Sequence, residues 1–107
     1  IMPEGSALTK IRNTEAMGAQ VILHGQSIED GFAYAETLMK KKPMVFVHPY
    51  KDPRVIAGQG SIGFELLEQL PDMDFVFSAI GGGGLVAGMG GVLKELRPAV
   101  KLVAGQA

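Results

Sequence analysis

The stretch VFSAIGGGGLVAGMGGVLKEL, residues 76–96, decides the fold. It joins a continuously apolar run to an amphipathic segment through four consecutive glycines, Gly81 to Gly84. The run 75–80 predicts a buried strand, and apolar residues at three- and four-residue steps after the glycines predict a helix over 85–96. A strand that turns through glycines into a helix is typical of a parallel α/β fold.

The same alternation extends outward in both directions along the chain. We predict the end of a strand at residues 1–3 and further strands at 20–24, 44–47, 75–80 and 100–105. Helices are predicted over 6–17, 28–42, 55–70 and 85–96. Continuously apolar strands separated by amphipathic helices indicate a parallel sheet with helices on both faces, a three-layer, Rossmann-like α/β architecture.

Composition excludes several classes of protein. The 107 residues include 10 Lys and Arg against 11 Asp and Glu, a formal net charge of −1. Because no like-charged run exceeds Lys40–Lys42, a nucleic-acid partner is not expected. No apolar stretch reaches the length of a membrane span. The chain has no cysteine, which excludes disulfides and thiolate zinc sites and fits a reducing compartment.

The glycine run predicts an anion site. Glycines let the backbone approach a ligand closely, and the first amides of the following helix have no internal acceptor. The helix dipole adds partial positive charge there, which favours a phosphate or carboxylate. A plain tight turn is the alternative, although two glycines would suffice for it. The Lys and Ser/Thr of a Walker loop are absent, and the dinucleotide pattern of Gly82, Gly84 and Ala87 lacks an acidic residue after the next strand.

Other residues carry weaker signals. His24 and His48 each follow an apolar run, without a third residue that would complete a metal site, and we interpret both as structural. The carboxylates show no spacing that singles out an acid–base pair. Tyr50, beside Asp52 and Pro53, could line a cleft, but a surface loop is the favoured interpretation. Three glycines inside the last helix, Gly88, Gly90 and Gly91, predict close packing against the sheet.

Three stretches carry a resemblance to a known family. They are IMPEGSALTKIRNTEAMGAQVILHG (1–25), HPYKDPRVIAGQGSIGFELLEQL (48–70) and AIGGGGLVAGMGGVLKELRPAVKLVAGQA (79–107). Together they resemble the threonine dehydratases and serine racemases, which are fold type II pyridoxal-phosphate enzymes. The phrase DPRVIAGQGSIG followed by GGGGL is specific to this branch, and the resemblance covers essentially the whole chain.

The resemblance implies a cofactor, a site and a division into domains. Backbone amides of Gly81, Gly82, Gly83, Gly84 and Leu85 would hold the phosphate of pyridoxal phosphate. Residues 1–50 would belong to a small domain that closes over substrate, and residues 51–107 to a large cofactor domain. The parent enzyme would be a cytoplasmic homo-oligomer acting on a small hydroxy amino acid, with no nucleic-acid or membrane partner.

The implied activity is dehydration of L-threonine or L-serine by β-elimination of water, which gives a 2-oxo acid and ammonia. Serine racemization is a sibling possibility that the sequence does not separate from dehydration. A free-standing, non-catalytic phosphate- or nucleotide-binding α/β module is an alternative from another class.

The chain also departs from the family pattern. The family's Schiff-base lysine lies in a Ser-Phe-Lys-x-Arg motif, and no lysine of this sequence stands in one. The asparagine-containing substrate loop, the later glycine segment that faces the pyridine nitrogen, and an acidic metal site are also absent. We therefore assign no catalytic residue and no metal ligand. We expect an internal segment of a longer enzyme, inactive by itself.

Overall fold

A computed structural model describes residues 1–106 and places six regular elements in them. In chain order these are α1 (Leu8–Ala16), α2 (Ile28–Met39), α3 (Pro53–Gln69), β1 (Phe75–Ala79), α4 (Gly84–Leu96) and β2 (Lys101–Gly105). The chain divides into two compact units, Ile1–Phe46 and a second that begins at Val47. Across the described residues no helix combines the length and the apolar character needed to cross a membrane.

The first unit contains α1 and α2 and a single parallel bridge between Met2 and Leu23. Helix α2 begins with a capping box: the Ser27 hydroxyl accepts from the Asp30 amide at 3.1 Å, and the Asp30 carboxylate accepts from the Ser27 amide at 3.0 Å. These bonds satisfy amide groups that a helix N-terminus otherwise leaves without acceptors. The buried residues of this helix are Gly31 and Ala35, so little apolar side-chain surface is fully buried in this unit.

The second unit is built on a parallel ladder. Strands β1 and β2 pair from Phe75–Lys101 to Ala79–Gly105 in continuous register. The core consists of Met89, Leu93 and Val100, and side chains of α3, β1, β2 and the intervening Met73 pack around it. Leu93 is fully buried and Val100 is 1% exposed. Because the ladder positions β1 and β2 side by side, the loop after β1 lies at the carboxyl edge of the sheet.

Helices α3 and α4 approach each other through glycines. A methyl group on Gly88 would overlap the carbonyl oxygen of Ile56 and lie 2.9 Å from the Gly60 amide nitrogen. A methyl group on Gly63 would lie 2.9 Å from the Cβ of Val92. The prediction that the α4 glycines pack against the sheet is thus correct for Gly90, whose added Cβ would meet Leu102 of β2 at 2.9 Å. It is wrong for Gly88, which faces α3, and for Gly91, where an added methyl group would meet no atom within 4 Å.

The α/β class with parallel strands is confirmed, but three predicted strand segments form no ladder. Residues 44–47 make no strand pairing with any described residue, and the segments 1–3 and 20–24 contribute only the single bridge between Met2 and Leu23. Within the described residues, α3 and α4 pack on the sheet face that carries Val76 and Leu102. The opposite face carries Phe75 and Phe77, which are 51% and 76% exposed. An apolar run indicates extended backbone, but it does not supply the strand that would pair with it.

Candidate functional site

The loop after β1 is anchored at both of its ends. The Ile80 amide donates to the Gly105 carbonyl oxygen at 2.9 Å, which extends the hydrogen bonding between the strands to the residue before Gly81. On the other side, the Ala87 amide donates to the Gly83 carbonyl oxygen at 2.9 Å and so closes the first turn of α4. The residues between these bonds are the predicted site residues, Gly81 to Leu85, and the fold holds them as one strand-to-helix turn.

Gly83 gives the turn its shape. Its φ of 86° lies in the left-handed region that favours glycine, and it is the N-cap residue of α4. Helix α4 therefore begins directly after Gly83, and the amides of Gly84, Leu85 and Val86 precede the first intrahelical bond. Such amides point out of the helix N-terminus and lack intrahelical acceptors.

The electrostatics of this turn favour an anion. Helix α4 has no acidic residue in its first turn and no side-chain cap. Its partly positive N-terminus is therefore not neutralised by the helix itself. Helix α1 also begins without a side-chain cap, but no glycine turn precedes it.

The N-termini of α2 and α3 are different, because carboxylates of the chain already cap them. Amides of Gln26 and Ser27 donate to Asp30 and lower the pKa of that carboxyl group. At α3, the Arg54 guanidinium and then its backbone amide bind Asp52 and lower the pKa of the carboxyl group to about 2. The described part of the chain thus satisfies these two N-termini internally and leaves that of α4 available to a bound group.

Tyr50 packs against the glycine turn, which the favoured interpretation of this residue as part of a surface loop did not predict. A methyl group on Gly82 would overlap the Tyr50 ring, and one on Gly84 would lie 2.9 Å from the Tyr50 Cα. The residue is half-buried against the glycine turn rather than part of a free surface loop. A Pro-rich turn and a glycine run far apart in sequence gave no signal that they would meet.

Both histidines make contacts within the chain. His24 stacks on Tyr34 with ring centroids 4.1 Å apart. The Nδ1 atom of His48 accepts from the amides of Tyr50 and Lys51 at 3.3 and 3.1 Å. Within residues 1–106, no group of three or more His, Asp or Glu side chains is arranged to hold a metal ion.

Comparison with known proteins identifies the family of the chain. Residues 1–107 match the family described as pyridoxal-phosphate dependent enzyme. The chain is 44% identical over 106 residues to an L-threonine ammonia-lyase of Thermotoga maritima, covering 99% of the chain and 26% of that protein. It is 40% identical over 106 residues to the catabolic L-threonine dehydratase of Escherichia coli, covering 99% of the chain and 32% of that protein.

Solved structures agree with the sequence relatives. The processed form of threonine deaminase isoform 2 from Solanum lycopersicum superposes with a TM-score of 0.86 at 36% identity, over 98% of this chain and 29% of that one. Maize serine racemase superposes with a TM-score of 0.89 at 30% identity, over 95% of this chain and 31% of that one. The chain thus spans about a third or less of the length of these proteins. Across all 107 of its residues, it belongs to the pyridoxal-phosphate dependent enzyme family.

Proposed function

We propose that this chain is the phosphate-holding segment of a dehydratase that acts on L-threonine or L-serine. The observation that supports this most is the uncapped N-terminus of α4, preceded by a glycine in the left-handed region. The relatives named as threonine ammonia-lyase or dehydratase are 40% and 44% identical to the chain, which favours dehydration as the parent reaction.

The residues present fit the phosphate of pyridoxal phosphate. The Gly81–Leu85 turn would hold it through backbone amides, supported by the α4 dipole. The space beside two residues of the turn is open, because a methyl group on Gly81 or on Gly83 would meet no atom within 4 Å. When bound, the cofactor supplies an electron sink for the substrate's α-carbon. The chain's own contribution is to bind and orient the phosphate end of the cofactor.

The parent enzyme is further proposed to be a cytoplasmic homo-oligomer. The absence of cysteine is consistent with a reducing compartment. Residues up to about 50 are proposed to belong to a mobile, substrate-closing domain, and the residues after them to the cofactor domain. The reactive lysine that the family requires would come from outside this segment, since no lysine here stands in the family's motif.

Turnover by the protein that carries this segment tests the proposed reaction. We expect that protein, loaded with pyridoxal phosphate, to release ammonia and a 2-oxo acid from L-threonine and L-serine. The present chain alone should release neither. Formation of D-serine without 2-oxo acid would replace the dehydratase assignment by the racemase one. Binding of nucleotides without any chromophore from pyridoxal phosphate would contradict both and favour a non-catalytic binding module.

A further inference from the structure

The turn at residues 48–51 is held in one orientation by a side chain within it. His48 Nδ1 accepts hydrogen bonds from the backbone amides of Tyr50 and Lys51 at 3.3 and 3.1 Å. The His48 and Tyr50 rings also meet edge to face, with centroids 4.6 Å apart and an interplanar angle of 86°. Edge-to-face contact is a favoured aromatic geometry, so both the backbone and the ring of Tyr50 are fixed.

The fixed ring lies on the glycine turn. The Tyr50 ring occupies the volume that a side chain on Gly82 would need, and the Tyr50 backbone does the same at Gly84. Gly82 is not among the glycines with positive φ, so its own backbone does not exclude alanine. The close approach of Tyr50 therefore leaves no room for a side chain at this position.

We propose that Tyr50 is a positioning residue for the phosphate site: its ring supports Gly82 and keeps the amides of Gly81–Leu85 directed at the anion. This inference rests on the proposed function of the turn. The ring carries the effect, because the Tyr50 hydroxyl makes no hydrogen bond to any other residue in the described part of the chain. A turn that samples other conformations binds more weakly in proportion to its competent fraction.

The first experiment titrates inorganic phosphate into the full chain and follows the amide resonances of Gly81–Leu85. We expect Tyr50→Ala to raise the dissociation constant about tenfold and Tyr50→Phe to leave it within about twofold of the unchanged chain. Two controls should leave the constant unchanged. Tyr34→Ala removes the tyrosine of the first unit, and Leu66→Ala destabilises the core without touching the turn. Tyr50→Ala binding phosphate as tightly as the unchanged chain would overturn the positioning role.

A second experiment needs no ligand. Gly82→Ala should lower the midpoint of thermal unfolding through overlap with the ring, and adding Tyr50→Ala should recover most of that loss. Gly81→Ala is the matched control for this midpoint, since an added methyl group there meets nothing within 4 Å. Lack of recovery in the double variant would refute the packing on which the proposal depends. If the unchanged chain binds no phosphate while the recovery occurs, the phosphate site is wrong, and Tyr50 supports the turn without a ligand role.

Discussion

The two units of this chain contain similar proportions of helix but differ in how much apolar side-chain surface they bury. The second unit has a continuous parallel ladder and a core in which Met89, Leu93 and Val100 are 3% exposed or less. The first unit has one bridge, and its buried apolar side chain is Ala35 at 9% exposure. The phosphate-loop candidate belongs to the unit with the core. A binding turn of this kind requires a rigid support, and the second unit supplies it from its own residues.

The largest expected effect on stability follows from removal of a core side chain of α4. Leu93→Ala should reduce the free energy of unfolding by about 3 kcal/mol, because it removes a fully buried side chain and leaves a cavity. The matched variant in the first unit is Leu8→Ala, because Leu8 is 58% exposed. We expect it to change the free energy of unfolding by less than about 0.5 kcal/mol. Urea unfolding measures both, and equal losses would erase the contrast between the units.

The next effect concerns the approach of α3 and α4. Gly88→Ala should destabilise the second unit by about 2 kcal/mol, because its methyl group would overlap the Ile56 carbonyl oxygen. Gly91→Ala in the same helix meets no atom within 4 Å and should stabilise by about 0.5 kcal/mol through helix propensity. Thermal unfolding of the two variants separates the effects. Similar behaviour of the two alanines would show that the helices do not touch at Gly88.

A smaller effect is expected in the first unit. Ser27→Ala removes the hydroxyl that accepts from the Asp30 amide and should weaken α2 by about 1 kcal/mol. Hydrogen exchange at α2 amides measures this change, and Ser27→Asn, which keeps a capping oxygen, is the control. Faster exchange in both variants would mean that the hydroxyl is not the cap.

The smallest effect is a dependence on pH at α3. The folded pKa of Asp52, about 2, lies below the ordinary value of 3.8, chiefly because the Arg54 guanidinium binds the carboxylate. This stabilisation is complete above about pH 4 and is lost as the pH falls through about 2. Amide shifts in the first turn of α3 should therefore move with a midpoint near 2, whereas Asp52→Asn should remove that transition. A midpoint near 4 would contradict the pairing.

Much of the second unit was predictable from its sequence. Strands β1 and β2 and helix α4 lie within one or two residues of their predicted bounds, because apolar periodicity and the glycine run mark them clearly. Helix α3 begins at Pro53 rather than at residue 55. The local signal was present, since an Asp followed by Pro is a common helix start.

The sequence did not indicate which residues far apart along the chain would contact each other. The apolar run 44–47 predicted a strand, yet a ladder requires a neighbouring strand, and no described residue pairs with it. Likewise, Tyr50 contacts Gly82 across a separation that no local pattern encodes. The glycine at position 88 predicted close packing, but whether it faces a helix or a sheet depends on tertiary packing.

The most direct test of the central claim is a phosphate titration of the unchanged chain, read at every backbone amide. We predict the largest shifts at Gly81–Leu85, where α4 begins uncapped, and none at the N-terminus of α2, where Asp30 already accepts from the amides. Shifts absent from the glycine turn, or equally large at α2, would contradict the assignment of this turn as the phosphate site.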